Sequence, residues 1–536
     1  MDNTFNTVLA VRPNSNRFDL SHDVKMSFRM GRLYPICVLD AIPGDKFNIS
    51  TESLLRMSPM VAPVMHELVV KTEFFFVPNR LLWDEWEDFI SNDGTELVPP
   101  YILNDDGIGG QIFSAGMLAD YMGIPPEIPS NMRMDAMPFA AYALIWDEWY
   151  RDQDLVTNER FEPLVEGDNS ANYTTQVAAQ APLPRSWPHD YFTSARPWPQ
   201  KGDAVSLPLV DGYADVILEP DYVTTGDEMQ FRVLATGNLA SPSSPSDITV
   251  DPGGNMEMGS GQTPVVLDPN GVLVADVNSG AVQINMLREA FRLQEFLEID
   301  SAGGTRYTET IRAHFGVISK DSRLQRPEFI GSTRGKMVIS EVLQSTSSSL
   351  DTVAEGTPLG TMGGHGISVI GSDGFSYYAT EHGWIIGLLS VFPRPAYQQG
   401  LQRKWSRNDR YDWFWPKFAH VGHQEILNKE LYVEHPTAPD GVFGYIPRYS
   451  EYRYEPNRVA GEMRDTLNFW HLGRIFDATP ALNETFLQAS SASNRIFAVQ
   501  YEGGGEDPYE ADQIFGHIFN RISASRLIPK YGRPIL

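Results

Sequence analysis

The sequence predicts a mainly β protein whose short strands are joined by long excursions, and three observations support this. Glycine (44 residues) and proline (38 residues) are frequent, and turn-forming clusters occur throughout the 536 residues. Apolar side chains alternate with a period of two in several short segments. Predicted strands lie towards both ends of the chain, and most predicted helices lie between them. A β-barrel would therefore be built from residues that are far apart in sequence.

The clearest strand pattern lies in residues 65–77, MHELVVKTEFFFV. One face of this strand is apolar and consists of Leu68, Val70, Phe74 and Phe76. The opposite face also carries Val69 and Phe75, so we expect both faces to be covered. Pro78 should end the strand because proline has no N–H to donate to a neighbouring strand.

Two amphipathic helices are predicted in the excursion at residues 78–200. The first lies at 82–90, with Asn79 as its N-cap. The second lies at 139–151, and its apolar side consists of Tyr142, Ile145, Trp146 and Trp149. We therefore expect short helices packed directly against the preceding strand.

A longer helix is predicted at residues 285–299, and a short helix at 308–315 should end at Gly316 in the left-handed conformation. The inward-facing side chains of the longer helix are predicted to be Leu287, Ala290, Phe291, Leu293, Phe296 and Leu297.

The remaining strands are predicted near 24–39, 45–50, 367–371, 383–392, 442–449, 495–501 and 514–525. The last segment also fits a helix, because its isoleucines recur every four residues. The apolar run at 384–392 is far shorter than the roughly 20 residues of a membrane helix. It indicates a strand buried on both faces.

The cysteine content and the N-terminal residues bear on the cellular compartment. Cys37 is the only cysteine, which excludes an intrachain disulfide and fits folding in a reducing cytoplasm. Residues 1–17 contain no apolar stretch of the kind found in a signal peptide. We expect neither secretion nor membrane insertion.

Charge is distributed unevenly along the chain. The net charge is −27, which argues against a protein whose whole surface binds nucleic acid. Residues 211–283 hold eleven acidic residues and one basic residue, which is typical of an exposed acidic insertion. Residues 520–536 hold four basic residues and no acidic one, and residues 12–32 hold five basic and two acidic residues. Cations near both ends of the chain are therefore candidates for phosphate binding.

Residues 402–417, QRKWSRNDRYDWFWPK, mix cations with aromatic rings. The cations are Arg403, Lys404, Arg407 and Arg410. Single-stranded nucleic acid binders use such a mixture to pair phosphates and stack bases. Protein interfaces bury the same residue types, and Asp409 and Asp412 could pair with two of the cations. We favour an interface or core position for this segment and keep DNA contact as the alternative.

Candidate catalytic and metal-binding groups are few. The sequence lacks GxxxxGK[ST], HExxH and GxSxG. The glycine-rich residues 360–366 do not open a clear helix, and His420 and His423 lack further ligands at zinc spacing. Glu85 and Glu148 could form an acid and base pair, but both lie on polar helix faces. We expect no enzyme activity, no cofactor and no metal, and the alternative is a secreted β-sandwich enzyme or lectin acting on glycans.

Several segments together resemble the major capsid protein family of the Microviridae, in particular its gokushovirus branch. They lie at residues 18–36 (FDLSHDVKMSFRMGRLYPI), 43–47, 60–66, 74–90 (FFFVPNRLLWDEWEDFI), 138–153, 190–207, 303–327 and 445–454 (YIPRYSEYRY). They occur in order over most of the chain. The resemblance is weakest at about 211–283 and at the C-terminus.

The resemblance implies an eight-stranded antiparallel jelly-roll barrel with long helix-containing loop insertions. On this basis, residues 1–210 form the first part of the jelly roll with a helical excursion. Residues 211–283 form a variable surface insertion, which the resemblance places in protrusions at the three-fold axes. Residues 284–536 supply a helical segment, the remaining strands and a basic tail.

The implied function is that of a major capsid protein, a structural subunit that assembles into a T=1 icosahedral shell. The shell would enclose a circular single-stranded DNA phage genome, and the insertion would attach the particle to its host. The implied partners are copies of the chain, the genome, a small basic DNA-binding virion protein, a minor or pilot virion protein and a host surface receptor. We expect assembly in the bacterial cytoplasm and final localisation in the virion.

The basic residues near the chain ends, together with those at 402–417, are predicted to contact the genome. They are Arg12, Arg17, Arg403, Lys404, Arg407, Arg410, Arg521, Arg526, Lys530 and Arg533. The tail could equally act as a clamp between subunits, because Pro529, Gly532 and Pro534 would shape a docked loop.

Overall fold

The computed structural model describes residues 14–91, 96–105, 110–203, 205, 284–343, 345, 361–372, 374–433, 440–489, 494–498 and 512–531, together with seven strands and a turn at 252–253 within 215–276. The chain divides into two compact units. The first consists of Met1–Lys201 and Leu297–Leu536, and the second of Gly202–Phe296. The acidic insertion predicted at 211–283 falls within the second unit.

The described strands all pair antiparallel. In chain order they are β1 Asn16–Asp19, β2 His22–Phe28, β3 Tyr34–Ala41, β4 Lys46–Met57, β5 Leu68–Pro78, β6 Tyr101–Ile102, β7 Met134–Asp135, β8 Asp215–Leu218, β9 Phe231–Val233, β10 Leu239–Ala240, β11 Ile248–Val250, β12 Met256–Met258, β13 Thr263–Leu267, β14 Leu273–Asp276, β15 Glu328–Leu343, β16 Met362–Gly371, β17 Phe375–Tyr378, β18 Gly383–Pro393, β19 His423–Leu427, β20 Val442–Pro447 and β21 Ile514–Arg526.

The described α-helices are α1 Trp86–Ser91, α2 Leu118–Tyr121, α3 Met137–Trp149, α4 Ser170–Tyr173, α5 Ile284–Gly303, α6 Tyr307–Phe315, α7 Asn428–Leu431 and α8 Glu484–Leu487. None of these helices, within the described part of the chain, is both long and apolar enough to cross a membrane.

Eight strands pair in the order of a jelly roll. Taken along the chain as β2, β3, β4, β5, β15, β16, β18 and β21, the first pairs with the eighth and the second with the seventh. Likewise the third pairs with the sixth and the fourth with the fifth. Such pairing is that of an antiparallel ribbon rolled up on itself. The predicted fold, a mainly β jelly roll with insertions, is confirmed.

The ribbon forms two layers that curl around one core. The β4 layer has the strand order β2-β21-β4-β16, and the β5 layer has the order β3-β18-β5-β15. The layers are joined because β15 also pairs with β16. Strands β1 and β17 add to the β4 layer by pairing with β21 and β4.

Two connections carry nearly all of the inserted sequence. The connection from β5 to β15 spans residues 79–327 and contains α1 to α6 as well as the second unit. The connection from β18 to β21 spans residues 394–513 and contains β19, β20, α7 and α8. Within the second unit, five strands form a sheet of order β10-β9-β13-β12-β11, and β8 pairs with β14.

The core between the layers follows from strict alternation in the β4 layer. In β4 and β21 every second residue is buried, so each strand places one face inward. The inward side chains include Phe47, Ile49, Leu55, Met57, Ile514, Ile518 and Ile522. This alternation resolves the ambiguity at 514–525, because a spacing of four is also met by a strand that buries every second residue.

Within the β5 layer, strands β5 and β18 are buried on both faces, as the sequence predicted for residues 68–76 and 384–392. Leu68, Phe74 and Phe76 point into the barrel core. Phe75 and Val77 point away from it and pack in a second cluster formed largely by α3. A sheet covered on both faces gives a nearly continuous apolar sequence, which is the pattern that these strands show.

Helix α3 is buried around most of its circumference, so the prediction of a single apolar side was too narrow. Phe139, Ala140 and Ala143 are buried in addition to the predicted Tyr142, Ile145 and Trp146. The Tyr142 hydroxyl donates to the Leu33 carbonyl over 2.8 Å and accepts the Leu183 N–H over 2.8 Å. This hydroxyl links the helix to the chain between β2 and β3.

Two predictions near the N-terminus were wrong in detail. The strand predicted at 24–39 is broken into β2 and β3 around Gly31, which has φ +80°. A Cβ at Gly31 would lie 1.5 Å from the Ala489 carbonyl oxygen, so only glycine fits. Asn79 does not cap a helix through its side chain, because it is the first residue of a 3₁₀ turn whose N-cap is Pro78.

Further along the chain, the helix predicted at 308–315 is α6, and Gly316 ends it with φ 67° as expected. The strand predicted at 495–501 is absent from its described part, where Asn494–Ile496 is a 3₁₀ helix and Phe497 makes a single bridge with Met60. Residues 499–501 lie outside the described part of the chain. In α5, the predicted inward residues Phe291, Leu293 and Phe296 are instead exposed.

Candidate interaction surfaces

The exposed face of the β4 layer carries part of the predicted DNA-binding set. Arg17 in β1 is exposed, and its Nη2 donates to the Ser523 hydroxyl in β21 over 3.0 Å. Arg521 is 65% exposed and pairs with Glu52 in β4 at 3.2 Å. Both arginines line an open groove of about 890 Å³. Strand pairing therefore brings cations from the two ends of the sequence to one surface.

Arg526 and Lys530 are placed differently. Arg526 Nε lies 3.2 Å from the carboxylate of Asp45, which is fully buried, and its Nη2 donates to the Asp40 carbonyl over 2.5 Å. Burial raises the pKa of Asp45 despite the nearby guanidinium. Arg526 thus fastens the end of β21 to the turn before β4, whereas Lys530 is exposed beside the Tyr531 ring.

Arg12 and Arg533 fall outside the described residues. The DNA-contacting role of the whole basic set stays a prediction.

The aromatic and basic segment at 402–417 forms three short 3₁₀ helices on the surface, Arg403–Trp405, Arg410–Asp412 and Pro416–Phe418. Its rings are between about half and three quarters exposed: Trp405, Tyr411, Trp413, Phe414 and Trp415. The Asp412 carboxylate accepts the backbone N–H groups of Asn408 and Asp409, and these bonds hold the pKa of Asp412 below its ordinary value. The Asp412 carboxylate therefore stabilises the backbone turn at residues 408–412.

Two of the four cations in this segment lie beside carboxylates, and the other two lie over aromatic rings. Arg403 lies 3.4 Å from the buried Glu430, and Lys404 lies 2.5 Å from Glu455. Arg407 lies over the ring of Tyr452 at 4.7 Å, and Arg410 lies over Tyr411 at 4.6 Å. A surface of cations and half-exposed rings suits a protein interface or a single strand of nucleic acid.

The described part of the glycine-rich segment, residues 361–366, has a packing role. Most of them belong to β16, which pairs with β15 and β4. A Cβ at Gly364 would lie 2.5 Å from the Ala62 carbonyl oxygen, and one at Gly366 would lie 2.8 Å from Met57 Sδ. These glycines let other chain segments approach the strand closely.

The candidate metal and acid-base residues do not converge on a site. His420 is exposed, and burial lowers the pKa of His423 in β19. Over the described residues, no group of three or more His, Cys, Asp or Glu side chains is placed to hold a metal ion. Glu85 accepts the Trp83 indole N–H and is exposed.

Exposed apolar side chains on α5, at the end of α6 and shortly after it were missed by the sequence analysis. Phe291 is 65% exposed, and Phe296 is also exposed. In the first unit, Phe315 and Ile318 are also exposed. Large exposed apolar side chains on each unit indicate association with other proteins. Periodicity alone did not reveal it, because an apolar position is expected to face the subunit's own core.

A jelly roll with large insertions that expose apolar and aromatic side chains fits the class of structural proteins that function by contact with other subunits. The chain belongs to the family described as "Capsid protein (F protein)", whose model matches residues 6–536. It is therefore a capsid protein of the virion and not an enzyme.

Three relatives carry the name "Capsid protein VP1". The protein of Bdellovibrio phage phiMH2K is 37% identical over 92% of this chain and 92% of its own length. That of Chlamydia phage 1 is 33% identical over 100% and 98%, respectively. That of Spiroplasma virus 4 is 29% identical over 88% and 87%. Each alignment spans most of the length of both chains.

Proposed function

We propose that the chain is the major capsid subunit of a T=1 icosahedral shell that encloses a circular single-stranded DNA genome. Subunit contacts are made mainly by the two long connections, which expose the aromatic segment at 402–417 and the apolar side chains of α5. Interfaces of this kind bury aromatic, apolar and arginine side chains. In the cell, the shell forms in the cytoplasm of a bacterial host.

The observation that supports a genome-facing role is the charge on the exposed face of the β4 layer. In a chain of net charge −27, this face presents five exposed Lys and Arg side chains against three Asp and Glu. The cations are Arg17, Lys25, Lys46, Arg56 and Arg521, and the acids are Asp19, Asp23 and Glu52. We assign this face to the lumen, where it contacts DNA phosphates without reading sequence.

These cations are too few to neutralise a packaged genome. A small, highly basic DNA-binding virion protein therefore accompanies the DNA, and a minor or pilot virion protein completes the particle. The insertion at 211–283 projects outward and binds a host surface receptor, as its acidic, glycine-rich and serine-rich composition suits a solvated lobe.

The test of the genome-facing role uses an Arg17→Gln, Arg521→Gln variant. Shells should form normally in electron micrographs and contain less DNA than wild-type shells. Lys336→Gln is a matched control, because Lys336 is also an exposed cation with one carboxylate partner, Glu67 at 3.1 Å, and it lies in β15. Unchanged DNA content in the double variant would contradict the assignment of this face to the lumen.

The test of the insertion replaces residues 211–283 by a short Gly/Ser linker. The shells should remain intact and should no longer adsorb to host cells. Loss of assembly would instead show that the insertion is a structural element of the shell. A protein that stays monomeric at every concentration, salt and pH, with or without DNA and its companion proteins, would contradict the capsid assembly itself.

A further inference from the structure

Helix α6 and the residues directly after it present an apolar surface to solvent. Tyr307, Ile311 and Phe315 recur every four residues, so they lie along one side of the helix. Tyr307 is 71% exposed and Phe315 is 76% exposed. Val317 and Ile318 extend this surface past the end of the helix, and Ile318 is 80% exposed. These five residues form the α6 surface, and exposed apolar side chains in such number indicate a protein contact.

Three exposed cations border the α6 surface: Arg312, Lys320 and Arg323. Arg312 is a neighbour of Phe315 on the helix, because it precedes it by three residues. The two acids of the same stretch are already engaged. Glu309 pairs with Arg306 at 3.4 Å. Asp321 pairs with Arg326 at 2.8 Å. Over the residues that the structure describes, none of the three cations has an ion-pair partner, so the α6 surface suits a partner that is both apolar and anionic.

Helix α1 and the residues before it have the opposite charge. Four exposed acids lie here: Asp84, Glu85, Glu87 and Asp88. Ile90, on the same short helix, is 51% exposed. The cation nearest in sequence, Arg80, pairs with Glu381 at 2.6 Å. Within the described part of the chain, the four acids have no ion-pair partner. The four acids and Ile90 form the α1 surface, which is both apolar and anionic.

We propose that the α1 surface of one subunit docks on the α6 surface of a second copy of the chain. Ile90 packs against Phe315 and Ile318, and the acids of the α1 surface pair with the three cations beside α6. The inference rests on the proposed function, because a shell surrounds each subunit with copies of itself. Each subunit offers one surface of each kind, so the same contact can repeat throughout a closed symmetric assembly.

The combination of charge and apolar side chains favours a second copy over a DNA strand as the occupant. Phosphates would pair with the cations but would leave the aliphatic side chains of Val317 and Ile318 exposed to water. The α1 surface supplies carboxylates and an apolar side chain together. Opposite charges across an interface also determine which surfaces meet, because like charges brought together oppose docking. Both surfaces belong to the connection from β5 to β15, to which the proposed function assigns subunit contacts.

A charge-swap experiment tests this pairing. Arg312→Glu with Arg323→Glu, or Glu87→Lys with Asp88→Lys, should each lower the yield of shells about tenfold, because like charges then meet across the contact. All four substitutions together restore opposite charges and should return the yield to within about twofold of wild type. Sedimentation and electron microscopy measure the yield, and urea unfolding of unassembled subunits verifies that each variant folds.

The matched control keeps the α1 changes and moves the compensating changes elsewhere. It combines Glu87→Lys and Asp88→Lys with Arg334→Glu and Lys336→Glu, which alter two exposed cations of β15. This variant carries the same net charge as the full swap and should not recover shell formation. Recovery by the control would show that net charge, and not the pairing of the two surfaces, governs assembly.

Cross-linking measures the contact directly. Cys37, the only cysteine, is buried, so Ile90→Cys and Ile318→Cys introduce the reactive pair. A short bismaleimide should join the subunits of assembled shells into covalent dimers and longer chains. In the control, Val433→Cys replaces Ile90→Cys, because Val433 is also exposed and lies in the other long connection. The control should give no comparable product.

Three outcomes would overturn the proposal. Normal shell yield after the α6 substitutions, with no cross-linked subunits, would exclude the contact and leave the proposed function intact. Loss of shells that the α1 substitutions do not restore would assign the α6 surface to another protein partner. Intact shells with less DNA would assign the α6 cations to the genome. Failure of the wild type to form shells is a separate result, and it would contradict the proposed function itself.

Discussion

The two layers of the barrel bury their strands to different extents. Both faces of β5 and β18 are buried, one in the barrel core and the other against the cluster around α3. In β4 and β21 only alternate residues are buried, and the other face is exposed. The difference shows a division of labour within one fold: the β5 layer holds the insertions in place, while the β4 layer presents a surface. Substitutions should therefore have effects that depend on the layer.

The largest contrast is expected for phenylalanines on the outer faces of the two layers. Phe75→Ala in β5 should lower the free energy of unfolding by about 3–5 kcal/mol, because it leaves a cavity between the sheet and α3. Phe515→Ala in β21 should change it by only about 0.5 kcal/mol, because Phe515 is exposed. Urea unfolding of unassembled subunits measures both. Similar losses would show that the β4 layer face is covered within the subunit.

A buried ion pair should give the next largest effect. Arg185 Nη1 lies 2.6 Å from Glu73 in β5, and both side chains are about one tenth exposed. Arg185→Met should cost about 3 kcal/mol, because it leaves a buried carboxylate with Lys71 as its remaining ion-pair partner. Arg521→Gln, which frees the exposed Glu52, should cost less than about 0.5 kcal/mol. Equal losses in the free energy of unfolding for the two variants would contradict the proposed difference in burial between the layers.

The same pair predicts a pH dependence. Burial alone would raise the pKa of Glu73, but the charges of Arg185 and Lys71 outweigh it and lower the pKa below the ordinary value of 4.5. A carboxylate with a lowered pKa stabilises the fold above its ordinary pKa, and this stabilisation is lost as the pH falls through the lowered value. Wild type should therefore lose stability in acid more steeply than Glu73→Gln. Parallel curves for the two proteins, measured by urea unfolding across acidic pH, would contradict this prediction.

Arg526 provides a further test of the difference between the layers, because it belongs to the β4 layer and yet is mostly buried. Arg526→Gln should destabilise the subunit by about 1–3 kcal/mol, since the buried Asp45 carboxylate loses its ion-pair partner and the Asp40 carbonyl loses its charged donor. Shell DNA content should not change once the shells have formed. Arg521→Gln serves as the exposed counterpart. A loss of packaged DNA at unchanged stability would place Arg526 among the genome-contacting residues.

The smallest effect on stability is expected for the Arg17→Gln, Arg521→Gln variant. Its free energy of unfolding should change by less than about 0.5 kcal/mol. Its binding to single-stranded DNA should become less salt-dependent, because the logarithmic slope falls by roughly 0.7 for each phosphate that no longer pairs with a cation. Binding titrations at several salt concentrations measure this slope. An unchanged slope would mean that neither arginine binds a phosphate.

The sequence predicted the strands whose patterns are regular and missed those that are not. The apolar runs of β5 and β18 indicated burial on both faces, and the structure confirms it. Strand β15, residues Glu328–Leu343, was not predicted, although it joins the two layers. Its register shifts between Phe329 and Gly331, which interrupts the alternation that identifies a strand.

The pocket of about 300 Å³ that opens beside residues 402–417 could not be predicted from local patterns. Its lining combines residues near 191, 398–405, 430 and 451–464, which only the fold brings together. In contrast, the cations and rings of 402–417 were visible at once, because they are contiguous. The sequence therefore indicated the lining residues at 402–405 but not those near 191, 430 and 451–464.

The position of β21 has a consequence for synthesis of the subunit. This strand, the last in the described part of the chain, lies between β2 and β4, which are among the first to leave the ribosome. Until β21 is inserted, the two early strands have unpaired edges facing one gap, and the barrel core lacks Ile514, Ile518 and Ile522. A chain that stops short of residue 514 therefore cannot close the β4 layer. Prematurely terminated chains therefore lack the exposed β4 layer face that a complete subunit presents, and the fold in this way selects chains of full length.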